Sequence, residues 1–256
     1  YVFSESYHEN LFIQDLFNAK QLFIRIRKNK NGIVEKLKQS NIAYQFVDSN
    51  CIALPLGTKL ETLLLPEDYV VQDIASQFVG HAFQPSSKQS WWDCCCASGG
   101  KSIQLLDANA TIDLTMSDIR VTILKELHQR MQRYGYSHAY RSYEADCSKS
   151  TLFLNHRKMD GIICDVPCSG SGTWSRAPEN FYYFTEEKLN NFHTLQCSIL
   201  RNAIQHLKPN GKLFYITCSV FKEENEAVVF TILQEGGTEI IEQKLIQTSS
   251  LGGDSL

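Results

Sequence analysis

From residue 91 onward, strand-like and helix-like runs alternate along the chain, and no other feature restricts the fold as strongly. The pairs are 91–96 then 101–106, 111–116 then 121–134, 159–164 then 186–207, and 212–217 then 223–233, with a weaker strand at 139–145. Such alternation predicts a mainly parallel sheet with helices on both faces, because each strand must be reached by a crossover. Ligands of such sheets lie beyond the carboxyl ends of the strands. Chemistry is therefore expected in the turns that follow each strand.

The first 66 residues follow a different rhythm. Residues 21–26 alternate apolar and polar, as a half-buried strand does, 33–37 fit a short helix, and 42–47 and 51–54 are further strands. They predict a small α+β module, separate from a larger unit over 67–256. Pro66 marks the break, and the spacing of Val70, Ile74, Phe78 and Val79 predicts a helix over 67–83. The chain of 256 residues has no initiator Met and is expected to be an excerpt of a longer product. The turn at 251–256 is expected to lead into a strand outside the sequence.

Composition narrows the classes of function. No apolar run approaches the ~20 residues of a membrane helix, and the first residues do not read as a signal peptide, so no membrane partner is expected. Nine cysteines, an odd number with three in a row at Cys94, Cys95 and Cys96, do not suit a disulfide framework. The absence of C-x2-C spacing argues against structural zinc. This usage fits a reducing, cytoplasmic setting. The net charge of −3 gives no basic footprint overall; positive charge gathers at Arg25, Arg27, Lys28, Lys30, Lys36 and Lys38.

The strand ends carry the informative residues. The first runs into Asp93-Cys94-Cys95-Cys96-Ala97-Ser98-Gly99-Gly100-Lys101-Ser102, a turn whose glycines let a ligand approach backbone N–H groups at a helix start. A phosphate-binding loop would need glycine where Cys95 stands, which disfavours a nucleotide hydrolase, and G-x-G-x-x-G is missing. Asp118 ends the second strand, where a carboxylate can accept from both hydroxyls of a ribose; a helix N-cap is the alternative. Asp146 follows the weak strand and is placed to accept from an adenine amino group, or to serve as a turn residue. The fourth strand enters Asp165-Val166-Pro167-Cys168-Ser169-Gly170-Ser171-Gly172-Thr173-Trp174, and the fifth ends in Thr217-Cys218-Ser219. Two cysteines thus share the ligand-bearing rim, whereas Cys51, Cys147, Cys164 and Cys197 are expected in the core. Trp174 and Arg176 are candidates for base stacking and phosphate contact, and each fits a structural role equally well.

Taken together, these motifs resemble the Sun/nucleolar-protein family of RNA cytosine-C5 methyltransferases. Residues 93–102 are similar to its D-x-C-A-A-P-G-G-K-T, 165–172 to D-A-P-C-S-G-x-G, and 216–219 to S-T-C-S. Residues 71–77, 207–211 and 224–226 add further matches. The resemblance implies a Rossmann-like class I methyltransferase, of the seven-stranded type, preceded by an RNA-recognition-like module. It implies S-adenosyl-L-methionine as cofactor, held by Cys95, Cys96, Ala97, Ser98, Gly99, Gly100 and Lys101 together with Asp118, Asp146 and Asp165. Spacing does not say which cysteine attacks. The resemblance assigns Cys218 as nucleophile and Cys168 as the thiol assisting release, with Asp165 and Lys101 completing the catalytic set and no metal. The implied partner is structured RNA, ribosomal RNA ahead of transfer RNA as the alternative, met by a monomer. Ser98 stands where the family has Pro, Cys96 where it has Ala, Ala145 where Gly is usual, and Ile123 where an Arg is frequent, with Arg120 nearer.

Two rivals belong to other classes. A DNA cytosine methyltransferase also uses a Pro-Cys loop but leaves Cys218 unexplained. An RNA-binding scaffold that has lost turnover is opposed by the intact Asp165, Cys168 and Cys218.

Overall fold

A computed structural model describes residues 3–4, 9–17 and 20–253. Helix α1 (Glu9–Phe17) leads into a four-stranded sheet built from β1 (Gln21–Ile26), β2 (Gln45–Asp48), β3 (Cys51–Pro55) and β4 (Tyr69–Val71), with α2 (Lys30–Gln39) against it. The spatial order is β2-β3-β1-β4, all neighbours antiparallel. Ile24, Ile33, Leu37, Ile52 and Leu54 close its core.

The helix expected over 67–83 divides in two. β4 pairs with β1, placing Val70 opposite Arg25, and α3 (Ile74–Gly80) begins only after Asp73, whose carboxylate accepts from the Ala75 N–H at 2.9 Å. Consecutive β-branched Val70 and Val71 favour a strand, and the Asp N-cap sets the helix start.

The second sheet holds β5 (Ser90–Asp93), β6 (Asp113–Asp118), β7 (Tyr140–Glu144), β8 (Met159–Asp165) and β9 (Leu207–Ile216) in the order β7-β6-β5-β8-β9. All five strands are parallel. They are the strands of the Rossmann-like sheet found among the described residues. The crossover helices are α4 (Gly100–Ala108), α5 (Val121–Arg133), α7 (Glu186–Ile204) and, after β9, α8 (Glu226–Gln234); the short α6 (Glu179–Tyr183) precedes α7. Adjacent tryptophans on β5 show how the two faces are made. Trp91 joins α4 and α5 through Ile103, Leu106, Leu127 and Met131, whereas Trp92 joins α7 and α8 through Leu200, Ala203 and Val228. Successive strand residues point to opposite faces, so one dipeptide anchors both helical layers. Gly161 is required by this packing, since a Cβ there would lie 2.5 Å from the Trp91 ring.

The two sheets are joined by buried charge. Asp107 of α4 accepts from Arg25 Nη1 at 2.6 Å and Arg27 Nη2 at 2.7 Å, and from the Tyr136 hydroxyl at 2.7 Å. Arg27 also lies over the Tyr134 ring at 4.5 Å. Burial opposes ionisation of Asp107, but Arg27, Arg25 and Tyr136 outweigh it and hold the carboxyl below its usual range. Of the basic residues clustered near the start, Arg25 and Arg27 therefore serve as structural links, and Lys30 is itself held by the Ser49 carbonyl and the Phe46 ring. Among the described residues no helix is long and apolar enough to cross a membrane.

Candidate active site

The order of the sheet fixes where a ligand can sit. The chain winds outward from β5 to β6 and β7, then returns to the other side of β5 with β8, so the crevice opens beyond the carboxyl ends of β5 and β8. The turn after β5 stays tied to its neighbours there: Cys94 N–H donates to Ile163 at 2.9 Å and Cys96 N–H to Ser117 at 2.9 Å. Gly99 has φ +82°, and a Cβ on it would sit 2.3 Å from Leu127 Cδ1. Glycine thus lets the turn press onto α5 before entering α4. Ser98, in place of the family's proline, is held differently: Arg130 of α5 donates to its carbonyl at 2.8 Å and its hydroxyl at 2.5 Å. The Cys96 side chain turns into the core, and the Cys95 thiol packs beside Cys94 at 3.8 Å.

Carboxylates line this rim. Asp118, at the tip of β6, accepts from the Ala97 N–H at 3.0 Å and from Arg120, whose Nε and Nη2 reach its two oxygens at 2.9 and 3.0 Å. Burial resists its charge, yet these donors hold the carboxyl below its usual range. Asp146, following β7, accepts from the Ser148 backbone at 3.1 Å and from Lys149 at 2.9 Å. Asp93, at the foot of the turn, is fully buried; Oδ2 accepts from Ser102 at 2.6 Å, and Oδ1 has no partner among the described residues. Burial raises its carboxyl to about 7, against the Ser102 bond.

The two rim cysteines meet. Cys168 Sγ and Cys218 Sγ are 3.4 Å apart although 50 residues separate them. Beside them Lys101 Nζ donates to Asp165 Oδ2 at 2.6 Å. Burial disfavours the Lys101 ammonium, but the charges of Asp165, Asp93 and Cys218 more than compensate and raise it above its ordinary value. The Cys168 thiol is pushed well above its ordinary value by its hydrogen bond to Cys218, by burial and by the charges of Cys218 and Glu224. By contrast, Cys51 and Cys147 are raised to about 12 chiefly by burial in apolar surroundings, as expected of core thiols.

The set Lys101, Asp165, Cys168 and Cys218 is thus brought together, with Asp118 and Asp146 along the neighbouring strand ends. Trp174 corrects an expectation. It is 1% exposed, its indole N–H donates to the Ser169 carbonyl at 3.2 Å, and it is packed by Phe12, Phe181, Phe184 and Phe221. A ring so enclosed cannot stack on a base. Arg176 pairs with Asp73 at 2.7 Å. Sequence reasoning gave no role to Glu224, whose carboxylate binds both cysteine loops; the signal available was its place in the 224–226 match.

The pattern of the family described as "16S rRNA methyltransferase RsmB/F" matches residues 81–252. The ribosomal RNA small subunit methyltransferase B of Xanthomonas campestris is 29% identical over 214 residues, covering 82% of this chain and 49% of the relative. That of Shewanella oneidensis is 28% identical, covering 79% and 47%. The chain thus spans about half the length of these curated relatives. Among solved structures, a methyltransferase homologue from Pyrococcus horikoshii superposes with a TM-score of 0.77 at 21% identity, covering 93% of this chain and 77% of that one. NSun6 from the same organism, solved with SFG, gives 0.79 at 15% identity, covering 96% and 88%. The match over residues 81–252 takes in the β5 turn and both cysteine loops, and the chain belongs to the 16S rRNA methyltransferase RsmB/F family.

Proposed function

We propose that this chain carries the catalytic part of an RNA (cytosine-C5)-methyltransferase acting on ribosomal RNA, with S-adenosyl-L-methionine as donor. The observation that carries the reading is the 3.4 Å approach of Cys168 and Cys218 beside the Lys101–Asp165 pair. One thiol suffices to activate a cytosine; two in contact suit a reaction in which one adds and the other assists release.

The residues present fit the cofactor. The β5 turn, with Gly99 at φ +82°, brings bare backbone to the start of α4, Asp118 offers a carboxylate for ribose hydroxyls in exchange for the Arg120 fork, and Asp146 follows on the next strand. The orphaned Asp93 Oδ1 lies at the foot of that turn. Relatives named as ribosomal RNA methyltransferases support the substrate class, and the NSun6 structure with SFG, an S-adenosylmethionine analogue, supports the donor. The bound cofactor would supply an electrophilic methyl on a sulfonium sulfur.

The chain's own residues would do the rest. Cys218, as thiolate, adds to cytosine C6, and the new C6–S bond makes C5 nucleophilic. Asp165, steadied by Lys101, engages the N3 side of the base, protonating or accepting from it as charge develops. After methylation solvent water takes the C5 proton, the electron pair of the C5–H bond restores the C5=C6 bond, and the C6–S bond breaks with its pair going to Cys218 Sγ, which can take a proton from the neighbouring Cys168 thiol. Cys168, held as a thiol, assists that release. A base must leave its stack to reach this crevice, which is easiest in RNA loops and bulges. In this reading the module over 1–66 helps bind the RNA and the protein works as a cytoplasmic monomer.

Labelled methyl transfer tests the proposal. Cys218→Ala is expected to abolish transfer to RNA while sparing cofactor binding, and Cys168→Ala to trap an RNA–protein adduct seen as a slow band on a denaturing gel. Full activity of Cys218→Ala, or transfer to DNA in preference to RNA, would refute it.

A further inference from the structure

Each rim cysteine is followed by a serine, and both serines bond to the same carboxylate. Glu224 lies beyond β9 and is completely buried. Its Oε1 accepts from the Ser169 N–H at 2.7 Å and Gln196 Nε2 at 3.1 Å; its Oε2 accepts from the Ser169 and Ser219 hydroxyls, each at 2.5 Å. Gln196, on α7, also donates to the Pro167 carbonyl at 2.9 Å, so the residues on both sides of Cys168 are held. None of these four donors is a cation. Burying a carboxylate among neutral donors is costly, and an uncharged amide could tie the same loops together. The charge therefore calls for a role beyond tethering. The ionisable groups around the sulfurs are Lys101 of α4, Asp165 and Asp93 at the ends of β8 and β5, Tyr215 of β9, and Glu224. The charge of Glu224 adds to the Cys218 hydrogen bond and to burial in raising the Cys168 thiol.

Resting on the thiol chemistry proposed above, we infer that Glu224 is a positioning residue: bonded twice to the residue after Cys168 and once to the residue after Cys218, it locks the two cysteine loops in register and sets its charge on the Cys168 side of the sulfur pair, leaving Cys218 to attack. The two thiols are thereby made unequal by a group that touches neither substrate nor cofactor.

Alkylation by iodoacetamide, read separately for the two cysteine peptides across the neutral to alkaline range, tests this in the full chain. Glu224→Gln keeps the shape: its amide can donate to the two serine hydroxyls where Oε2 accepted. The midpoint of Cys168 labelling should move toward neutrality, raising its rate at fixed neutral pH several-fold. The high-pH plateau, which reports access, should stay. In the same preparation kcat for RNA methylation should fall with KM for RNA unchanged. An unchanged Cys168 midpoint in folded Glu224→Gln would overturn the inference. If that variant does not fold, Ser219→Ala carries the test, since it breaks one tether and leaves the charge. It should slow methylation about tenfold through misplacement of the nucleophile with the Cys168 midpoint unmoved, and full activity would overturn the locking role. A wild-type protein that labels as expected yet methylates no RNA refutes the proposed reaction and leaves Glu224's control of the thiols standing. Methylation by the wild type with a Cys168 midpoint indifferent to Glu224→Gln refutes the inference alone.

Discussion

Asp107→Asn should loosen the joint between the two sheets, and its cost follows from the bonds around the carboxylate. Oδ1 accepts from Arg27 Nε at 2.9 Å, Arg27 Nη2 at 2.7 Å and Tyr136 at 2.7 Å, while Oδ2 accepts from Arg25 Nη1 at 2.6 Å. An asparagine keeps the first group through its carbonyl but turns an amide N–H against Arg25. Arg25 would then hold only its Nε bond to Gln72 at 3.0 Å, and its Nη2 already has no partner. Breaking a buried pair by removing one charge costs roughly 3–5 kcal/mol, and the surviving Arg27 bonds place this case near 3. For a chain of this size that is a fall in Tm of roughly 6–12 °C. The sign with pH is also fixed. The native Asp107 carboxyl lies below its unfolded value, so its stabilisation is full above about pH 4 and is lost as pH falls through the native pKa. Urea titrations of wild type and variant should therefore differ most at neutral pH and converge in acid. A gap below ~1 kcal/mol, the worth of a surface pair, or one that persists undiminished in acid, would refute the reasoning.

Other substitutions probe the site and its support. Gly161→Ala should destabilise by about 1–3 kcal/mol through overpacking against Trp91, read as a lower denaturation midpoint with an unchanged urea slope. Trp174→Ala should cost roughly 3–5 kcal/mol as a core truncation, and RNA affinity of the folded fraction should not follow it, since the ring is enclosed. Asp118→Asn should weaken S-adenosylmethionine binding about tenfold by calorimetry, with the RNA affinity of the chain unchanged.

The alternation after residue 91 made the parallel sheet legible, because a crossover helix between parallel strands leaves a long, regular imprint. Strand β8 and helix α5 fall within a residue or so of their expected bounds. Short elements were not legible for the same reason: β4 has three residues, and Val70, Ile74 and Phe78 happen to satisfy a helical spacing that α3 fills only in part. Arg25 and Arg27 were counted with the neighbouring lysines as one gathering of positive charge because their partner Asp107 is some eighty residues away on another element. The choice between stacking and a structural role for Trp174 was not legible because exposure is a property of the packed aromatic cluster, not of the local sequence. Glu224 was visible as a motif member, but its meaning needed Ser169 and Ser219 in one place.

The meeting of the two sulfurs is a consequence of strand adjacency. β8 and β9 are neighbours and run in the same direction, with Cys164 opposite Tyr215 and Asp165 opposite Ile216. Chains leaving adjacent parallel strands at the same level emerge side by side, and here they stay zipped. Val166 N–H donates to Ile216 at 3.2 Å, and Gly172 N–H donates to the Cys218 carbonyl at 2.9 Å. Cys168 is three residues past Asp165 and Cys218 two past Ile216, so a bend at Pro167 is enough to bring the thiols level. The spacing of each cysteine from its strand end is therefore what the geometry depends on. One alanine inserted between Ile216 and Thr217 should preserve the sheet, whose pairs end at Ile216, yet carry Cys218 out of reach of both Cys168 and Lys101. Retained methyl transfer in a folded protein with that insertion would show that the register of β8 and β9 does not set the thiol pair.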